Sequence, residues 1–147
     1  MDGFDKRILR LVQRNNQMTH AEIGEAVGLS GSAVRRRLKL LRESGVIAAD
    51  VSILRLDAGV RFIVSVSFGE ESVEAYAAFD EQMRAAPEVA QCYHVSGAED
   101  YVVIVHGPSV EWCEAWSRQV FMSNPAVRRY DTRVVWDCKK FSAAVPV

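Results

Sequence analysis

The apolar residues of this 147-residue chain change their repeat near residue 60. Before that point they recur every three or four positions: Phe4, Ile8, Leu11 and Val12, then Ile23, Ala26 and Val27, then Val34, Leu38 and Leu41. This period marks short helices, each with one face turned inward. Beyond it, Arg61-Phe-Ile-Val-Ser-Val-Ser-Phe68 alternates, with Phe62, Val64, Val66 and Phe68 on one face of a strand. The switch of period at this point marks a change of organisation. It predicts an α+β chain of two domains, residues 1–52 and 61–147, joined by a linker at 53–60. A domain of roughly 50 residues is marginal alone, so support from a second copy of the chain is expected.

Local signals set the element ends. Asp2 can cap the first helix, and the polar residues 13–17 end it. Thr19-His-Ala-Glu22 is a capping box, in which a hydroxyl and a carboxylate each take a free amide at a helix start. Gly28 ends the second helix, and Ser30 caps a third that Gly45 closes. Two short helices joined by so tight a glycine turn, the second of them basic, form a helix-turn-helix pattern. With Val34, Leu38 and Leu41 inward, Ser32, Arg35, Arg36 and Lys39 form one outward stripe. Residues 46–54 read as extended, a wing strand that runs into the linker.

In the second half, Ser72 caps a helix that carries Tyr76, Phe79 and Met83 inward and ends near Pro87. Residues 89–96 and 101–106 are strands around the turn Gly97-Ala-Glu-Asp100. Ser109 caps a helix with Cys113, Trp116 and Val120 on one side, Asn124-Pro125 ends it, and residues 127–138 form a last strand. The order β-α-β-β-α-β is the ferredoxin-like motif. Its sheet carries helices on one face only, which predicts a homodimer packed through the other.

Charge separates the halves. Residues 1–50 hold nine basic and six acidic side chains, and the remainder holds nine and thirteen. Arg35, Arg36, Arg37, Lys39 and Arg42 face only Glu43 between residues 30 and 45, which points to an anionic partner at one end of the chain. With 49% hydrophobic and 25% charged residues, disordered, collagenous and disulfide-rich classes are excluded. No apolar run reaches the roughly 20 residues of a membrane helix, and no signal-peptide core opens the chain. Cys92, Cys113 and Cys138 are odd in number and widely spaced, so reduced core thiols in a cytoplasmic protein are expected. The cysteines, His20, His94 and His106 show no metal-ligand spacing. No nucleophile elbow, phosphate loop or carboxylate pair is present, and neither an enzyme nor a cofactor is expected.

The chain resembles the Lrp/AsnC, or feast/famine, family of transcriptional regulators. Asp2-x-x-Asp5-x-x-Ile8-Leu9-x-x-Val12-Gln13 is similar to that family's first-helix signature. Val27-Gly-Leu-Ser30, Val34-x-x-Arg37-Leu38-x-x-Leu41 and Gly45-Val-Ile47 match its helix-turn-helix run, and Val95-Ser-Gly97-x-x-Asp100-Tyr101 its effector loop in the RAM-type domain. Two departures stand out. Gly31-Ser-Ala33 replaces the prolines often found before the third helix, and Tyr130-Asp131-Thr132 replaces a Thr-x-Thr pair in the last strand.

The pattern and the resemblance together imply double-stranded DNA as partner. The N-terminal part of the third helix would enter the major groove, with Ser32, Ala33, Arg35 and Arg36 at base edges. Arg37 and Lys39 would meet phosphates, and Ser30 would offer free helix-start amides to another. The resemblance further implies an amino-acid effector bound between dimers, in assemblies up to an octamer. Its contacts would be Gly97 and Ala98 through their backbone, Glu99 or Asp100 toward an ammonium group, Tyr101 on the apolar side, and Thr132.

Three other readings compete with this one. Gly97-Ala-Glu-Asp100 is also a good hairpin turn without a ligand. Sirohaem decarboxylases share the resembling architecture, and His94, His106 and Arg133 would serve that chemistry. A protein that coats DNA without an effector would look the same at this level.

Overall fold

A computed structural model describes residues 1–54, 59–69 and 72–147. Residues 55–58, the middle of the expected linker, lie outside them. The chain divides into two compact units, Met1–Leu54 with Lys140–Val147, and Arg55–Lys139.

The first unit holds α1 (Gly3–Val12), α2 (His20–Val27) and α3 (Gly31–Glu43). Asp2 caps α1 in a full capping box with Asp5, Thr19 and Glu22 form the expected box on α2, and the Ser30 hydroxyl accepts from the Ala33 amide. Gly28 ends α2 at φ 77°. Ile8, Ile23, Val27, Val34 and Leu38 make the core, with Leu11, Val12, Met18, Leu29 and Ile47 packed on it. Residues 46–54 form no strand, so the expected wing strand is corrected. The Ile47 amide instead bonds the Leu41 carbonyl, which folds the chain back on the end of α3. Residues Lys140–Val147, expected to close the second domain, belong to the first unit. There the Gln13 amide group both donates to the Val145 carbonyl and accepts its N–H, and Arg10 donates to Val147.

The second unit runs β1 (Val60–Phe68), α4 (Val73–Ala85), β2 (Val89–His94), β3 (Tyr101–Gly107), α5 (Val110–Ser117) and β4 (Val127–Val135). The antiparallel sheet has the order β2-β3-β1-β4, the ferredoxin-like arrangement. Phe62, Val64, Val66, Phe79, Tyr101, Val103, Val105, Cys113 and Phe121 are buried between the helices and one sheet face. Phe121 is fully buried after α5, and the expected Trp116 and Val120 pack against the same core half-buried. A π-helical turn at Arg118–Met122 steps the buried positions by four, from Cys113 to Ser117 to Phe121. β4 stops at Val135, so Cys138 lies beyond the sheet and is exposed rather than in the core.

Strand alternation gives the other sheet face Ile63, Ser65, Ser67, Val102, Ile104, His106, Arg129, Asp131 and Arg133. Arg133 pairs with Asp131 at 2.7 Å and reaches Ser65, while the Arg61 Nε donates to His106 Nε2 at 3.3 Å. Burial, and then the Arg61 charge, lower the His106 pKa from 6.5. An imidazole depressed in the folded state takes fewer protons there than in the unfolded chain, so stability rises with pH across that window. The melting temperature is therefore expected to fall as pH drops below about 6.5. His106→Gln should make that fall shallower in thermal scans between pH 7.5 and 5.5. Equal slopes for the two proteins would count against this role for His106.

Candidate nucleic-acid interface and ligand site

On α3, Val34, Leu38 and Leu41 are buried, and the helical repeat turns Ser32, Arg35, Arg36 and Lys39 outward. All four are exposed, and Ala33 is half-buried beside them. Arg35 and Arg36 make no ion pair with a described residue. Lys39 lies 3.6 Å from Glu43, a surface pair of little strength. The Ser30 Oγ is 3.0 Å from Ser32 Oγ and caps the Ala33 amide, so its hydroxyl serves the helix start. His20, Ser32, Arg35, Arg36, Lys39 and Arg42 together line an open recess of about 500 Å³.

Sequence reasoning missed two of those residues as site members. Arg42 continues the stripe one helical turn beyond Lys39, a signal visible in the spacing, and Asp50 pairs with it at 2.9 Å. His20 opens α2, and no local pattern ties it to α3. It reaches the recess because the Gly28 turn sets the two helices side by side.

Arg37 departs from the expected phosphate role. Its Nη1 lies 2.8 Å from Asp2 Oδ2 and 2.7 Å from Asp5 Oδ1, and its guanidinium sits over the Phe4 ring. At residue 37 the helix surface faces α1, whose first turn presents two carboxylates. The bond from the Asp5 amide, with Arg37 beside it, holds the Asp2 carboxyl below its ordinary range, and the two carboxylates hold Arg37 more firmly protonated. Arg37 thus ties α3 to α1.

The structure redistributes the expected effector residues. Gly97, at φ 135°, and Ala98 are exposed, and Glu99 is half-buried in the loop before β3. Asp100 is not free for an ammonium group. Its Oδ2 accepts from the Phe68 amide at 2.7 Å and its Oδ1 from the Tyr76 hydroxyl at 3.2 Å, while its own N–H donates to Val66. Tyr101 does not border the loop surface. It is 1% exposed beneath α4, and its hydroxyl donates to Asp80 at 2.8 Å. Burial first, and then the bond to Asp80, raise its pKa. Thr132 pairs with Val64 and so shares the helix-covered face, whereas the loop bonds Ser67 on the opposite face through the Ala98 carbonyl. The loop and Thr132 are therefore not brought together.

The groups of the sirohaem reading are also divided. His94 pairs with Tyr101 on the helix face, while His106 and Arg133 lie on the other.

A cationic helix-turn-helix unit followed by a ferredoxin-like unit is the layout of a DNA-binding protein with a second, separate domain. Comparison with known proteins gives the family. Residues 1–48 match the winged helix-turn-helix DNA-binding model, and residues 61–145, more than half the chain, match the Lrp/AsnC ligand binding domain. The chain is 39% identical over 150 aligned residues to an HTH-type transcriptional regulator, y4tD, of Sinorhizobium fredii, covering 100% of this chain and 89% of that protein. It is similar to the crystal structure of an AsnC family transcriptional regulator from Agrobacterium tumefaciens, with TM-score 0.90, 28% identity and coverage of 99% and 97%. The transcriptional regulator NMB0573 of Neisseria meningitidis, solved as its L-Met complex, is similar at TM-score 0.91 and 26% identity, with coverage of 99% and 96%. The chain belongs to the Lrp/AsnC family of transcriptional regulators.

Proposed function

We propose that this regulator binds specific double-stranded DNA sequences through Ser32, Ala33, Arg35, Arg36 and Lys39, and that a small effector, an amino acid, modulates its activity. The observation that carries the DNA reading is the exposed stripe of α3, where Arg35 and Arg36 stand without carboxylate partners among the described residues. His20 and Arg42 extend the same cationic recess. DNA binding is assigned to residues 1–52, with ligand binding and assembly assigned to residues from 61 onward. The effector reading is supported by the ligand-binding family model and by the neisserial relative with L-Met. Among the described residues, no helix of its own unit covers the sheet face of Ile63, Val102 and Ile104, which favours a homodimer built across it, with an octamer as the larger assembly. Such a protein acts in the cytoplasm, where its DNA is, and works without catalysis.

Selection of sites from a random duplex pool by the full-length protein tests this reading. A two-fold dimer selects near-palindromic sites, with half-sites about one helical turn apart or a multiple of it. Arg36→Ala is expected to weaken the selected site by about 1–3 kcal/mol and to relax preference at one base pair of each half-site. Selection of no consensus at all would overturn sequence-specific binding.

A further inference from the structure

Of the three histidines in the chain, only His20 lies in the first unit. It is exposed at the first position of α2, and its ring has no hydrogen-bond or ion-pair partner among the described residues. Gly31, the first residue of α3, sits against it. A Cβ at Gly31 would lie 3.5 Å from the His20 carbonyl carbon and oxygen and 3.4 Å from the Ala21 amide nitrogen. The start of α3 therefore packs on the backbone at the start of α2. This close approach sets the imidazole in one recess with Arg35, Arg36, Lys39 and Arg42.

The charged groups that line the recess beside His20 are these four cations of α3, and among the described residues none of α1 lines it. The nearby acids are engaged elsewhere. On α2 itself, Glu22 Oε2 accepts from the Thr19 amide at 2.7 Å and from the Thr19 hydroxyl at 2.8 Å. Those bonds hold the Glu22 carboxyl below its ordinary range, so it stays charged near neutral pH. Glu25 follows His20 by five residues, roughly 140° around the helix, and lies on another face. Glu43 stands beside Lys39, and Asp50 beside Arg42. What the recess lacks is negative charge at His20, which a phosphate would supply.

We propose that His20 holds a DNA phosphate in its protonated form, so that duplex binding takes up a proton and tightens as pH falls. An imidazole is charged in acid and neutral in base, and the change ordinarily comes at about pH 6.5. A phosphate attracts the charged ring more strongly than the neutral one, through a charge-assisted hydrogen bond. A bound state that favours the protonated form is strengthened as protons become more available. Phosphates carry no sequence information, so the gain applies to any duplex seated on the recess. The assignment rests on the reading of α3 as the DNA-binding face. It adds a pH dependence that guanidinium and ammonium groups, charged throughout this range, do not supply.

Fluorescence anisotropy of the full-length protein between pH 7.5 and 5.5, at constant ionic strength, tests it on the selected duplex and on a scrambled one. His20→Gln and His20→Lys are run beside wild type. His20 is exposed and outside the first core, so both variants are expected to fold; circular dichroism at each pH checks this. His94 and His106 remain in all three proteins, so any effect of theirs cancels in the comparison. The expected result is that wild type gains at least about threefold in affinity over His20→Gln across this range, on both duplexes. His20→Lys, charged throughout, should bind at pH 7.5 as tightly as wild type does at pH 5.5. At pH 5.5 the slope of log affinity against log salt should be steeper in wild type than in His20→Gln, by about 0.9 for each protomer on the duplex. Equal pH profiles in wild type and His20→Gln would overturn the role of His20 and leave DNA binding by α3 standing. A gain confined to the selected duplex would also overturn it, since the contact would then be to a base. Failure of wild type to bind either duplex at any pH would overturn both readings.

Discussion

Alanine at Gly24 is expected to cost about 1–3 kcal/mol of stability and to remove specific DNA binding. A Cβ at this position would lie 2.4 Å from the Leu29 carbonyl oxygen, with Ser30 and Gly31 backbone atoms at 3.3 and 3.4 Å. The obstructing atoms are backbone, so no side chain can swing aside. The turn must move, and with it the Ser30 cap that starts α3 and the position from which α3 presents its cations. The Leu29 amide also bonds the Gly24 carbonyl at 2.9 Å, so the contact that must widen is one the turn depends on. A unit of roughly 60 residues is only marginally stable, so a loss of this size is a large fraction of the total. Gly28→Ala offers the contrast. Nothing lies within 4 Å of a Cβ there, and the penalty is only that of a left-handed residue, roughly 1–2 kcal/mol. Urea unfolding followed by helical circular dichroism measures both, since all three tryptophans lie in the second unit and do not report on the first. Wild-type stability and affinity in Gly24→Ala would contradict the tight-turn account.

What was legible in the sequence is what neighbouring residues decide. The caps Asp2, Thr19, Ser30, Ser72 and Ser109 act on amides two or three residues away, and each starts the helix expected of it. The alternation in β1 and the order of the elements are equally local, and they were enough to reveal the ferredoxin-like sheet. The misread residues are those whose partners lie far along the chain. Arg37 belongs to a basic block by composition, yet Asp2 and Asp5 claim it from 35 and 32 positions away. Asp100 and Tyr101 sit in a turn that looks like a ligand loop. Phe68, Tyr76 and Asp80 take their polar groups instead. Thr132 fell on the wrong face because the pairing of β4 with β1 cannot be read from either strand alone.

The claim on which the account turns is that the outward cations of α3 hold the duplex. Replacement of Arg35, Arg36 and Lys39 together by alanine tests it most directly, because all three are exposed and none contributes to the first core. The circular dichroism spectrum and melting temperature should stay close to wild type. Each base-reading arginine contributes on the order of 1–3 kcal/mol and Lys39 adds a phosphate contact, so affinity for the selected site should fall at least about a hundredfold. The slope of log affinity against log salt should also become shallower by roughly 1–3, as lost cations release fewer counterions. Fluorescence anisotropy of a labelled duplex across a salt series reads both quantities in one experiment. The account predicts a folded protein with weak, flattened and unselective binding; wild-type affinity with an unchanged salt slope in the triple variant would contradict it.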